Sequence, residues 1–316
     1  MNEIDKTQMS LIRKDILLIL PRHAFEYQQI EKAGYRIMEP YIGNKIPFRI
    51  FREVCFRWNL SIKSIWYNSK VNIHAKIIIV YEPLMIPDFI EWLHIKNPKS
   101  RIILAYANPV KGSIDPNTLP NEWCEKVSGD PEDCAQFGLR LIQGGYFRHY
   151  KVNFKQPIYD VFFIGRDKNN RAQRLFQLKD EFEHLGLRTN FYITADRSYK
   201  RFNKAFYKPL ISYDKVLEMM GETRAILHLV DGGQTGVTYR VFESLFHGIK
   251  LVTDNYKLAE FDFYHPDNIF MLGKDDLDML PAFLDRPFKK INERILERYD
   301  FEAAIRTMVG ERNTKD

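Results

Sequence analysis

The residues best placed to do chemistry sit in one stretch, Leu227–Leu245, where an apolar run gives way to a glycine-rich bend and then to a helical pattern. Gly232, Gly233 and Gly236 let the backbone approach an anion with no Cβ in the way. The free N–H groups of a helix start, with the helix dipole behind them, favour a phosphate. Thr235 is a candidate N-cap, and Thr238 can add a hydroxyl donor. Arg240, Glu243 and His247 share a face at i, i+3 and i+7, while Val237, Val241 and Leu245 share another. Arg240 could neutralise diphosphate charge, and Glu243 could accept both hydroxyls of a ribose. The plainer alternative is a turn followed by a surface ion pair worth roughly a few tenths of a kcal/mol.

The elements that must position this stretch are strands and helices in alternation. Short Ile/Leu/Val runs at 15–20, 76–81, 101–106, 159–164, 188–193, 224–230, 250–253 and 268–272 read as strands buried on both faces of parallel sheets. Amphipathic segments lie between them, at 86–95, 171–185, 213–220 and 238–247. The alternation occurs twice, which predicts an α/β protein with two Rossmann-like domains. The expected boundaries are an N-terminal domain over 1–155, a second over 156–287, and a terminal helix over 288–316 that crosses back to the first.

Composition sets the wider limits. The 316 residues carry a net charge of +6, and the pI is near 9.0. That balance suits an anionic small partner, and without a Lys/Arg stripe it does not point to nucleic acid. Cys55, Cys124 and Cys134 are few and have no metal-ligand spacing, as expected in a reducing compartment. No run reaches the roughly 20 apolar residues of a spanning helix, so a cytoplasmic location is expected, with contact at a membrane surface as an option.

The stretch Gly236–Asp254 resembles the donor site of GT-B glycosyltransferases, and is most similar to the CgeB-like enzymes and those of bacterial lipopolysaccharide and capsule biosynthesis. Leu17–Tyr27, Ile102–Pro109, Lys126–Cys134 and Asp160–Arg166 are further similar stretches. Asn108 stands where many relatives carry an acid, and Gly129 where an aromatic is expected. The resemblance implies two Rossmann-like domains facing across a cleft. It also implies sugar transfer from a nucleotide-diphosphate donor, with a UDP-sugar the first expectation, to a saccharide or lipid-linked acceptor in surface polysaccharide biosynthesis. No metal or other cofactor is expected.

Carried over, Gly236, Val237 and Thr238 meet the phosphates, Arg240 the diphosphate and Glu243 the ribose. Gly165 and Arg166 approach from the first turn of the second domain. Lys208–Tyr213 lies by the base, or else is a loop in which Ser212 caps the next helix. The first domain takes the acceptor. There His23, just after the first strand, is the candidate base, with Glu26 orienting or replacing it; a surface histidine at a helix start is the alternative. The rival to the whole reading is an inactive relative that binds a nucleotide or glycan and regulates a partner.

Three other features have competing readings. Asp130 and Asp133 are a possible acid pair, but Asp-Pro-Glu-Asp is also a helix opening. Asp276-Leu277-Asp278 reads as capping rather than as a metal site. Over 47–58, Phe48, Phe51, Cys55 and Trp58 share a helical face, with Arg49, Arg52 and Arg57 around it. That pattern fits a core-facing helix or a membrane-surface contact.

Overall fold

The computed structural model describes residues 13–22, 24, 26–71, 75–82, 85–111, 113–169, 171–196, 205–230 and 235–310. His23 and the glycine pair 232–233 lie outside them. Contacts divide the chain into two units, Met1–Ile142 with Arg306–Asp316, and Gln143–Ile305. This division falls earlier than the expected 155 boundary and returns within the last helix rather than at 288.

The first unit holds a six-stranded parallel sheet. Its strands are β1 (Ile16–Ile19), β2 (Arg36–Met38), β3 (Ile77–Tyr81), β4 (Arg101–Tyr106), β5 (Glu125–Ser128) and β6 (Arg140–Leu141). Their spatial order is β2-β1-β3-β4-β5-β6. Helices α1 (Glu26–Lys32), α2 (Ile46–Arg57), α3 (Pro87–Lys96) and α4 (Pro131–Phe137) connect them. Every side chain of β1 is buried, which is why an unbroken apolar run, rather than an alternating one, forms this strand. Phe89, Ile90 and Leu93 of α3 join Ile78, Val80, Ile102 and Leu104 in the core.

The second unit repeats the winding with five parallel strands, β7 (Tyr159–Arg166), β8 (Thr189–Thr194), β9 (Thr223–His228), β10 (Lys250–Thr253) and β11 (Ile269–Met271), ordered β11-β10-β9-β7-β8. The helices are α5 (Arg171–His184), α6 (Tyr213–Met220), α7 (Tyr239–His247), α8 (Leu280–Asp285), α9 (Glu293–Tyr299) and α10 (Phe301–Val309). In each sheet the strand order reverses beside its first strand, between β1 and β3 and between β7 and β9. Ligands of open α/β sheets bind outside the carboxyl ends of the strands at such a point. The fold is therefore α/β with two Rossmann-like units. Among the described residues no helix is long and apolar enough to cross a membrane.

Three expectations are corrected. The single helix expected over 288–309 is two. Asp300 is extended (φ −78°, ψ 165°) and its Oδ1 accepts the N–H of Ala303 at 2.7 Å, so it ends α9 and caps α10. The N-cap of α7 is Thr238 rather than Thr235. The third correction concerns α2. Its core-facing alternative does not hold, since of the four side chains on the apolar face only Cys55 is buried, and Arg52 is buried with it, while Phe48, Phe51 and Trp58 are exposed. Arg52 turns inward because three acceptors meet it. Its Nη1 donates to the carbonyl of Ile42 and to Asn44 Oδ1, both at 3.0 Å, and its Nη2 to Glu53 Oε1 at 3.2 Å.

The end of α10 is held by arginines. Arg101 Nη1 donates to the carbonyl of Val309 at 2.7 Å and Arg140 Nη2 to that of Met308 at 2.8 Å. Both occupy carbonyls that a helix end leaves unpaired.

Candidate functional site

The carboxyl ends of β7 and β9 bring cations together. β7 ends in Gly165–Arg166, and Arg166 is exposed. At Gly165 a Cβ would lie 2.9 Å from the Phe163 ring, so the glycine spares that ring, and the same point is an ordinary 3.7 Å from Arg171 Nη1, which puts the Arg171 guanidinium beside the strand end. Asp167 fixes the turn between them. It is buried, its Oδ1 accepts the N–H of Ala172 at 2.8 Å, and its Oδ2 accepts the Tyr207 hydroxyl at 2.7 Å.

β9 ends in His228, which is buried and whose Nδ1 lies 2.9 Å from Thr253 Oγ1. Burial, then the charges of Arg171 and Arg240, pull its pKa down from 6.5 to about 3. The imidazole is therefore neutral, and two guanidiniums lie within electrostatic reach of one strand end. The chain leaving β9 is tied down by Asp254, whose Oδ1 accepts the N–H of Val230 at 2.8 Å.

α7 starts beside this edge. Gly236 is buried, and the N-cap Thr238 makes no side-chain capping bond; its Oγ1 has no hydrogen-bond partner among the described residues. Arg240 and Glu243 form a pair, as their spacing suggests, yet not at the surface. Glu243 is wholly buried, and Arg240 Nη1 meets its Oε2 at 2.5 Å. That contact is a charge pair rather than an aligned hydrogen bond. The other oxygen, Oε1, accepts the Tyr213 hydroxyl at 2.8 Å. Burial raises the Glu243 pKa, against the opposing pull of Arg240 and Tyr213.

The Tyr213 hydroxyl lies 3.2 Å from that of Tyr146, which lies 2.7 Å from His247 Nε2. Burial, then Lys151, lowers the His247 pKa to about 4. A polar chain thus runs from half-buried His247 through buried Tyr146 and half-buried Tyr213 to buried Glu243 and its partner Arg240. Glu243 has both oxygens in contact with partners and no exposed surface.

The remaining positions divide by unit. In the second, Ser212 is the N-cap of α6, its Oγ accepting the N–H of Lys215 at 3.3 Å. Val237 is half-buried. In the first unit, Glu26 opens α1 immediately beyond β1 and is half-buried. Burial raises its pKa from 4.5 to about 7, against its own backbone N–H. Its charge reaches Tyr81 at the end of β3, whose pKa is raised by burial and then by Glu26. Glu26 therefore stands at the β1/β3 reversal. Glu82 beside it is committed to the N–H of Ile114 at 3.1 Å.

Asp130 caps α4 through the N–H groups of Glu132 and Asp133, and Asp133 Oδ2 accepts the N–H of Val110 at 2.8 Å. Asp276 caps a 3₁₀ turn through Asp278. Among the described residues no group of three or more His, Cys, Asp or Glu side chains is arranged to hold a metal.

Reasoning from sequence did not pick out Arg171 or Tyr146 as site groups, and it took Tyr213 only as the end of the segment 208–213 by the base, not as a partner of Glu243. Arg171 carried a signal, being a cation at the first helical position after the β7 turn. Tyr146 carried none, since it comes from a segment far from α7 in the chain.

The fold and this edge define a class, two Rossmann-like units of which the second has a cationic strand end. No family model matches the chain, and no curated protein matches it. Among solved structures it is similar to a lipopolysaccharide outer core galactosyltransferase, WaaB, in its apo form, at 12% identity over 92% of this chain and 98% of that one, with a TM-score of 0.46. It is similar to the MurG of Acinetobacter baumannii at 11% identity over 92% and 97%, with a TM-score of 0.43. It is also similar to the glycotransferase of kitacinnamycin at 12% identity over 93% and 94%, with a TM-score of 0.45. At such identities residue roles must come from the chain's own geometry.

Proposed function

We propose that the chain is a GT-B glycosyltransferase that moves a sugar from a nucleoside-diphosphate donor to a saccharide or lipid-linked acceptor in surface polysaccharide synthesis. The observation that supports this is that Arg171 and Arg240 both lie within electrostatic reach of the buried His228 at the end of β9, with Arg171 beside Gly165 of the β7 turn and Arg240 in the first turn of α7. A diphosphate leaving group gathers charge as the glycosidic bond breaks. Fixed guanidiniums and backbone N–H groups aimed there stabilise it in the transition state, where such interactions count most. Gly236, Val237 and Thr238 supply the N–H groups and a hydroxyl, and Arg166 covers the exposed side. Glu243 takes the ribose diol once Tyr213 releases it, and Ser212 serves by capping α6.

In an inverting transfer Glu26 takes the proton of the acceptor hydroxyl, a task for which a pKa near 7 is matched. His23 stays a second candidate for that proton.

Thermal shift against UDP, GDP, ADP and CMP tests the anion site. A ligand held only by the folded state at about 100 times its Kd adds about 2.7 kcal/mol. Labelled transfer from UDP-, GDP-, ADP- and CMP-sugars then tests the reaction. No stabilisation by any nucleotide sinks the donor site. Stabilisation without transfer or hydrolysis supports the inactive binding partner instead.

A further inference from the structure

We propose that the segment 42–65 of the first unit docks the protein on an anionic lipid surface. This stands apart from the donor site and does not need the transferase reading. The helix α2 faces outward with its apolar residues. Ile46, Phe48, Ile50, Phe51 and Trp58 are all exposed, Trp58 by 69%. The patch continues over the following 3₁₀ turn, where Ile62 and Ile65 are exposed as well.

Soluble surfaces scatter such side chains singly; a contiguous set marks a contact. The orientation is built in rather than incidental. Arg52 is anchored beneath the helix by Ile42, Asn44 and Glu53, and lies 5.3 Å from the centre of the Tyr41 ring. Gly43 closes the turn against Trp66 so tightly, at φ +75°, that a Cβ would lie 2.6 Å from the ring. With the polar side pinned inward, the hydrophobic side has to face out.

Charge selects the occupant. Lys45, Arg49 and Arg57 are exposed beside the apolar residues, and Glu53 is the sole acid in 42–65. A second copy laid on this face would set like charges against one another. An anionic headgroup layer neutralises them while its acyl boundary takes the isoleucines and aromatics. A largely apolar hollow of about 550 Å³, lined by Arg49, Ile50, Glu53, Val54, Arg57 and Trp58, gives an acyl chain room between two arginines.

Flotation of the full chain with vesicles at low salt tests this. Phosphatidylcholine vesicles containing phosphatidylglycerol should carry the protein up, and pure phosphatidylcholine should bind about tenfold more weakly or worse. Arg49→Glu/Arg57→Glu should lose most of the binding, as should raised salt. Phe48→Ser/Phe51→Ser/Trp58→Ser should lose it altogether. These side chains are exposed, so an unchanged melting temperature shows that the fold survives. If a variant does not fold, wild-type tryptophan emission decides. It should shift to the blue on anionic vesicles, and not in Trp58→Phe. No flotation of the wild type, or equal flotation of the triple variant, overturns the proposal. So does self-association without vesicles that the triple variant abolishes, since a second copy would then be the occupant.

Discussion

The two units share a winding and differ in what stands at its reversal. Read from their first strands, β1 and β7, both sheets run 2-1-3-4-5, and the first unit adds one more strand at its edge. At β7/β9 the second unit gathers Arg171 and Arg240 and holds its buried carboxylate, Glu243, in an ion pair. At β1/β3 the first unit places Glu26, raised to about 7 by burial and with no cation among the causes of its shift. One topology thus carries cations at one reversal and a carboxyl of raised pKa at the other, and the side chains on the first helical turns make the difference. The lesson is that winding fixes where a ligand can sit, and short-range charge fixes what kind.

The sharpest way to break this comparison is Glu26→Gln. Loss of a general base costs about 10²–10⁴-fold in transfer, while UDP stabilisation should be unchanged. Activity of the wild type should rise as pH increases through about 7, and the variant's profile should lose that limb. The stability sign is opposite. A carboxyl with pKa raised from 4.5 to about 7 binds more protons when folded, so stability present at low pH falls as pH rises across that window. Urea melts at pH 5 and pH 8 should show a smaller drop in the variant.

Next is Arg240→Ala, which strands the buried Glu243. Breaking such a pair costs about 3–5 kcal/mol, and Arg240→Ala/Glu243→Gln should recover part of it in denaturant melts. Arg171→Ala should cost about 1.5–3 kcal/mol of UDP binding, the worth of hydrogen bonds to charged groups. Equal UDP binding would show that the cations are structural. The smallest effect is Ser212→Ala, about 1 kcal/mol of stability for a lost cap. Nucleotide preference should not move; if it does, Ser212 touches the base after all.

Much of the scaffold was legible in the sequence, and for a physical reason. Arg101–Tyr106 and Lys250–Thr253 were read to the residue because each is built on an unbroken buried apolar run, Ile102–Tyr106 and Leu251–Val252, as strands covered on both faces require. Tyr213–Met220 was read equally well, with Ser212 available as its cap. Arg36–Met38 was not, being three half-buried residues with no apolar run. The helix over 288–309 was over-read because the pattern continues through Asp300, and only its bond to the N–H of Ala303 shows the break.

In the site, the spacing of Arg240 and Glu243 foretold their pairing but not their burial. That burial depends on Tyr213 and Tyr146, whose approach to α7 is a matter of tertiary packing. The inward side of α2 was left open between two readings, and the core-facing one fails for a similar cause. Periodicity assigns an arginine to solvent, and only the acceptors from Ile42 and Asn44 turn Arg52 inward.

The chain leaves the first unit at Ile142 and re-enters it at Arg306. Just inside the second unit these two passages are stitched together. Gly145 and Tyr146 donate to the carbonyl of Tyr299 at 3.1 and 3.3 Å, and Phe301 donates to that of Tyr146 at 2.9 Å. Gly144, at φ +101°, lies so close that one added carbon would stand 2.9 Å from the backbone of Tyr299 and Asp300. A lone methyl there would act as a wedge, prising the outgoing strand of the polypeptide from the returning one. Descendants of this sequence are confined to hydrogen at residue 144 unless the whole seam is rebuilt.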